Sequence, residues 1–319
     1  MFLVKLSLIF CFTLLNTSIN CQTDDDNTKG GGRGKSEITT FDGVSYRFNG
    51  NGEYTFMEID EIKFNSQIRM TPYVNSNGLK RKLSVITALA IKNDNKDSVQ
   101  IELNQKNEKL DVFVNGKDLS YYDDVKTVNI RVFSDNIILE YFNGITFAIK
   151  ANKNYNALLV VATVSNEYKG KTRGLLGNMD DNSENEFTTP RGVVLNLNSF
   201  DDKSLYSFGE QWKTTSASSI FTYKATQTHS SFIDSTFVPK FVVDGISFED
   251  QSLVTPAIAF CNEKQMEMSR CLFDISATGE LSNDSVDFDD PTARFFFRRI
   301  FKSILSVISI KITVTIWFG

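Results

Sequence analysis

Residues 128–149 read VNIRVFSDNIILEYFNGITFAI. Three short apolar-alternating runs, Val128–Phe133, Ile137–Phe142 and Ile145–Ile149, are separated by Ser134-Asp135-Asn136 and by Asn143-Gly144. Alternation with a period of two, broken by turn residues, specifies antiparallel hairpins. Asn-Gly is the strongest local hairpin signal, because the tight turn asks its residues for positive φ. The same pattern recurs outward in both directions. Val44–Phe48 gives way to Asn49-Gly50-Asn51-Gly52, Tyr54–Ile62 leads into Phe64–Met70, and Val99–Leu103 and Leu110–Val114 precede Asn115-Gly116. Downstream, Ala157–Val164 is a continuous apolar run that predicts a strand buried on both faces, and Gly192–Leu197 predicts one more strand. No segment before Thr163 carries a helical period. The expectation is an all-β fold, a sandwich or barrel built of hairpins.

With 319 residues and 41% hydrophobic content, the chain can bury one substantial core. Its net charge of -5 and the lack of a basic-aromatic stripe exclude an electrostatic nucleic-acid partner. Phe is frequent at 27 and Pro scarce at 5, which suits strands and argues against a Ser/Thr/Pro stalk. Residues Met1–Cys21 combine Lys5, an apolar run over Leu6–Leu15 and a more polar end, the pattern of a secretory signal peptide. Residues 22–36, with Asp24-Asp25-Asp26 and Gly30-Gly31-Gly32, predict a linker. The main domain is expected over 37–215 and an extension over 216–290, Ser/Thr-rich and irregular at first, helical around Phe260–Leu281. Residues 291–319 form an apolar tail broken by Lys302 and Lys311. A weak anchor, an interfacial helix and a spurious coding tail are all compatible with it, and a tail that does not span a membrane is preferred.

Chemistry concentrates in one place. Arg173-Gly174-Leu175-Leu176-Gly177-Asn178 opens a loop in which Asn178, Asp180 and Asn182 alternate, with Asn185 and Glu186 close behind. Charged and neutral oxygen donors on a chain freed by glycines are what a hard cation such as calcium requires. A solvated polar turn is the competing reading. An EF-hand is excluded, because counting from Asn178 the sixth position is Ser183 rather than Gly and the twelfth is Thr189 rather than Glu. Cys261 and Cys271, in a chain bound for an oxidising compartment, are expected to form a disulfide. Asn283-Asp284-Ser285 is a glycosylation sequon. Catalysis finds little support: His229 is the single histidine, and neither a Gly-x-Ser-x-Gly elbow nor a phosphate loop occurs.

Three motifs together resemble one family. Residues 40–54, TFDGVSYRFNGNGEY, resemble the opening of a von Willebrand factor type D domain. Residues 173–178 with Asn185-Glu186-Phe187 resemble its calcium-loop signature, and Phe208-Gly209-Glu210-Gln211-Trp212 resembles its close. The resemblance implies an extracellular β-sandwich with a small, partly helical C-terminal extension. It also implies a split calcium site in which Asp42 meets Asn178, Asp180 and Glu186, with Asn185 and the backbone carbonyl near Asn182 completing the shell. Gel-forming members usually carry Cys in the Gly-Leu-Cys-Gly signature, where this chain has Leu176. That departure, with Cys271-Leu272-Phe273-Asp274 and Ala277-Thr278-Gly279, resembles the membrane-mucin and sushi-domain-containing subfamily. The Gly-Asp-Pro-His cleavage motif of that subfamily is missing; Asp290-Pro291 is followed by Thr292. The implied function is a non-enzymatic, calcium-stabilised adhesion module, secreted or at the cell surface, that binds extracellular proteins or glycoproteins. A secreted enzyme or inhibitor-like effector using residues 173–187 as its active site is the alternative.

Overall fold

A computed structural model describes residues 27–281, except 34–35, 95–96, 105–108, 123–124, 134, 199–200 and 266–267. The expected signal peptide, the Asn283 sequon and the apolar tail therefore lie outside the described residues. Within the described residues, the chain enters one sheet with β1 (Asn27–Arg33), β2 (Glu37–Thr39) and β3 (Ser45–Arg47). It then crosses at Phe48–Asn51 into a second sheet, β4 (Gly52–Ile59), β5 (Phe64–Val74), β6 (Lys80–Asn93), β7 (Ser98–Asn104), β8 (Lys109–Val114) and β9 (Lys117–Asp118). It returns to the first sheet through β10 (Val128–Val132), β11 (Asn136–Tyr141), β12 (Ile145–Asn152) and β13 (Ala157–Ser165). The strand orders are β10-β11-β12-β13-β1-β2-β3 and β4-β5-β6-β7-β8-β9, and every pairing is antiparallel. The all-β sandwich expected from the hairpin pattern is what the chain forms.

One continuous core lies between the sheets. On β12, Ile145, Phe147 and Ile149 point inward with Leu158, Val160 and Ala162 of β13. They share the core with Phe56, Ile68, Leu89 and Ile101 of the facing sheet. Phe64 and Phe147 stack across the sandwich with ring centroids 6.2 Å apart. On β13 every residue from Ala157 to Ala162 is buried, as its unbroken apolar run requires. Asn115-Gly116 and Asn143-Gly144 resolve differently, whereas Asn49–Gly52 carries the chain from one sheet to the other. At Asn115-Gly116 both residues have positive φ, 49° and 76°. At Asn143-Gly144 only Gly144 does, at 78°, which closes a three-residue loop onto Tyr141.

Two expectations are corrected. The predicted linker over 22–36 contains β1, which pairs with β13 from Asn27↔Ser165 to Gly32↔Val160 and with β2 from Gly31↔Thr39 to Arg33↔Glu37. Its glycines look like a flexible segment because they bring no apolar surface. Here that is the reason they fit: a Cβ on Gly32 would lie 2.5 Å from Cδ1 of Ile86 on the opposite sheet. The strand is held by ladder bonds on both sides instead of by side chains. The second correction concerns Gly192–Leu197, which forms no strand. It is held to the preceding turn by a single bridge, Thr188↔Val194, by Leu195 N–H donating to Phe187 O, and by turn bonds between Thr189 and Gly192 and Val193.

Beyond the sandwich, α1 (Asp202–Glu210) is capped by Asp201, whose carboxylate accepts from Ser204 N–H. α2 (Val254–Glu263) and α3 (Met268–Thr278) form the helical part of the extension. Cys261 and Cys271 are joined in a disulfide between them, packed with Ala257 and Ile275. The pair docks on the first sheet through Arg47, which bonds Asp274 at 2.9 Å and lies 4.8 Å over the Phe273 ring. Among the described residues, no helix is long and apolar enough to cross a membrane.

Candidate metal centre

The loop after β13 is placed by main-chain bonds to both sheets. Arg173 N–H donates to Glu58 O, Leu175 N–H to Thr55 O and Leu176 N–H to Phe56 O, so residues 173–176 lie along the edge of β4. Leu175 and Leu176 fill the core beneath it. Where the subfamily comparison puts Cys in gel-forming members, Leu176 is fully buried and holds by packing. On the other side, Phe41 N–H donates to Leu176 O at 3.0 Å, which draws the β2–β3 turn onto the loop. Asp42 sits at the tip of that turn, closed by Thr40, whose N–H donates to Val44 O and whose hydroxyl accepts from Val44 N–H.

Asp42 then organises residues 138 positions away. Its Oδ2 accepts from Asp180 N–H at 3.0 Å and its Oδ1 from Asp181 N–H at 3.1 Å. Met179 and Asp181 both adopt left-handed φ, 54° and 67°, and the chain between them winds tightly about Asp180. Asp180 Oδ1 accepts from Asn182 N–H at 2.9 Å. Its Oδ2 accepts from the amides of Asn178 at 3.1 Å and Asn185 at 2.8 Å. Glu186 enters from below, 1% exposed. Ligand oxygens of Asp42, Asp180 and Glu186 all lie within 4.8 Å of one another.

Five of the six expected ligands are thus gathered by the fold. The sixth, Asn182, is exposed and joins the cluster through its N–H bond to Asp180; its Oδ1 accepts from Glu184 N–H at 3.2 Å, and its main-chain oxygen accepts from Asn185 N–H. Around the three carboxylates, four buried side-chain oxygens have no hydrogen-bond partner: Asn178 Oδ1, Asn185 Oδ1 and both oxygens of Glu186. Leaving a buried acceptor unmade costs about 1–3 kcal/mol each, more for a charged one. Burial, then the neighbouring Asp42 and Asp180 carboxylates, pushes the Glu186 carboxyl up to about 8. The Lys169 ammonium nearby is engaged with Asp181 outside the triad. A donor set of carboxylate and amide oxygens, without sulfur or imidazole, fits a hard divalent cation such as calcium.

The surroundings hold this geometry. A Cβ on Gly177, whose φ is +78°, would fall 1.8 Å from Glu186 Oε2, so the carboxylate occupies space that only glycine leaves. Phe187 locks the exit by edge-to-face contacts with Tyr46 and Phe208, both at 5.4 Å. The Trp212 indole N–H donates to Thr188 O at 3.3 Å, which ties the Phe208–Trp212 motif to the loop. Lys169, Tyr46 and Phe208 escaped the sequence reading as parts of this site. Two lie on motifs noted only as a resemblance, and for Lys169 no local pattern exists.

Comparison with known proteins agrees with this architecture. The profile described as von Willebrand factor type D domain matches residues 31–193. Human Sushi domain-containing protein 2 is 29% identical over 259 residues, covering 78% of this chain and 30% of that protein. Protein mesh of Bombyx mori is 24% identical over 285 residues, 80% of this chain and 17% of that protein. Mouse Mucin-4 is 24% identical over 196 residues, 56% of this chain and 5% of that protein. The chain spans under a third of the length of each of these relatives. With the matched profile covering half of its length, the chain belongs to the von Willebrand factor type D domain family.

Proposed function

We propose that this chain is a non-enzymatic, calcium-stabilised structural and adhesion module that works outside the cell, in a secreted or surface-displayed protein, by contact with other extracellular proteins or glycoproteins. The observation that carries the reading is the set of four unpartnered buried oxygens around the Asp42, Asp180 and Glu186 carboxylates. Asp42, Asn178, Asp180, Asn185 and Glu186 would hold the ion. A bound calcium supplies positive charge that offsets the three carboxylates and satisfies their lone pairs. Asp42 belongs to the turn between β2 and β3, whereas the other ligands follow the segment paired to β4. Ligation would therefore clamp the first sheet to the edge of the second.

The residues gathered at this site include no imidazole and no thiol. His229 lies instead near Glu53, 3.8 Å from its carboxylate, on the outer side of the second sheet. The disulfide and the kinship to mucins and sushi-domain proteins support an oxidising, extracellular setting. Calcium titration with thermal melting tests the reading: a rise in melting temperature with calcium, reversed by chelator, is expected. Equal melting curves with calcium and with chelator would remove the ion from the proposal.

A further inference from the structure

Lys80-Arg81-Lys82 is the one place where three cations follow each other, in a chain whose net charge is -5. The run opens β6, and a fourth cation joins it from the extension, where Lys240 N–H donates to Lys82 O at 2.8 Å. These four residues line a cavity of about 560 Å³ between the start of β6, residues 234–249 and the C-terminal end of α3. Three carboxylates line it as well, Asp234, Asp244 and Glu249. Asp234 pairs with Lys80 at 2.6 Å, and Asp244 pairs at 3.7 Å with Lys203, which does not line the cavity. Glu249 serves both Arg81 and Lys82, at 3.0 and 3.3 Å. Glu280, which also feels Arg81, is held instead by Tyr73 OH and Ser76 N–H. Lys240 makes no ion pair among the described residues. Its ammonium donates to Ser247 O and to Ser276 Oγ, the latter at 2.9 Å.

Positive charge is thus left unbalanced in a place partly shielded from water. Burial holds the Lys240 ammonium below its ordinary range, and Lys82 and Arg81 push it the same way against the pull of Glu249. An ammonium has three hydrogens to donate, and neutral oxygens take two of them here. An anion in the cavity would accept the third and remove the repulsion among the three cations. Arg81 is fixed for this by the carbonyl end of α3, since its Nε also donates to Ala277 O at 3.2 Å. Pro72 and Pro239 add an apolar wall, and the volume is that of a small-molecule site, far more than a bare ion fills. We propose that this cavity binds a small organic anion, with a carboxylate or sulfate group seated between Lys240, Lys82 and Arg81 and an uncharged body against the Pro72 and Pro239 wall. The site shares no residue with the metal centre and takes a ligand of the opposite charge.

Two charged sugars serve as probes, a sulfated N-acetylglucosamine and glucuronic acid, each compared with its uncharged parent, N-acetylglucosamine and glucose. They are titrated by calorimetry into the full chain at fixed ionic strength and fixed calcium. Saturable binding of at least one charged sugar is expected, about tenfold or more tighter than its parent, as for a hydrogen bond to a charged group. Which of the two binds identifies the group that the cations prefer. Lys240→Gln should weaken that binding about tenfold or more. Lys82→Gln, at a side chain 60% exposed, should weaken it while leaving the melting temperature unchanged. Glu249→Gln removes the carboxylate that competes for Arg81 and Lys82, so it should tighten binding, which a purely structural ion cluster would not show. The proposal is overturned by any of four results: no saturable binding of either charged sugar, equal binding of charged and uncharged sugars, binding of inorganic sulfate alone, or an affinity unmoved by both lysine variants.

Discussion

Replacing Asp42 by alanine separates a metal clamp from a polar turn. Asp42 contributes a carboxylate to the triad and also accepts two loop N–H groups, at 3.0 and 3.1 Å. Calcium at a hundredfold excess over its dissociation constant stabilises a native state by about 2.7 kcal/mol. For a unit of this size that corresponds to about 5–11 °C in melting temperature, at about 2–4 °C per kcal/mol. The two hydrogen bonds are lost with or without calcium, and in chelator their loss is partly offset because Glu186 is relieved of a neighbouring charge. The informative quantity is therefore the calcium-dependent increment, not the melting temperature itself. Melting by circular dichroism should show an increment of this order in the unaltered chain and under about 2 °C in Asp42→Ala. An increment of similar size in both chains would refute the placement of Asp42 in the site, however unstable the variant.

The pH dependence should invert with the ion. In chelator, Glu186 titrates at about 8 in the fold against 4.5 ordinarily, so the folded state holds a proton that the unfolded state releases; stability should fall as pH rises through that window. With calcium, ligation requires the deprotonated form, so calorimetric affinity should rise across the same window, and a flat affinity profile would count against Glu186 as a ligand. Gly177→Ala forces a Cβ to 1.8 Å from Glu186 Oε2 at φ +78°. It should cost more than about 1 kcal/mol in urea unfolding and also weaken calcium binding. Removing the Cys261–Cys271 bridge by Cys→Ser at both positions should cost about 2–3 kcal/mol in the chain-entropy model. Proteolysis should then open α2 and α3 while the sandwich, whose core lies elsewhere, stays protected.

Side-chain periodicity made most strands legible. Alternating runs with Asn-Gly punctuation specify hairpins locally, and Ile145–Ile149 or Ala157–Val164 could hardly bury their apolar faces otherwise. The glycine-rich strand over Asn27–Arg33 was illegible for a matching reason: its stability comes from two neighbouring ladders, and a ladder leaves no mark on side-chain pattern. Val193 and Val194 misled in the opposite direction. They carry strand propensity but remain 55% and 51% exposed, with no partner strand to pair with beyond one bridge.

At the candidate metal centre, local spacing already picked out Asn178, Asp180, Asn185 and Glu186, because a loop that wraps a cation must place its oxygens close in sequence. It also picked out Asn182, whose oxygens accept the loop's own turn bonds and whose N–H donates to Asp180. Asp42 entered only through a family resemblance; nothing in the residues around it foretells a meeting 138 positions downstream. The seat of residues 218–223 over Ala88 and Ala90 had no sequence signature at all. No pattern around Gln67, Arg69 and Gln100 marks that residues 218–223 lie across them. Thus the chain's own order of residues determines which segments are strands, turns and oxygen-rich loops, because those choices depend on neighbours within a few positions. Which loop faces which turn, and which sheet face is covered, depends on strand order and on the burial of one common core, which exist only once the two sheets have closed.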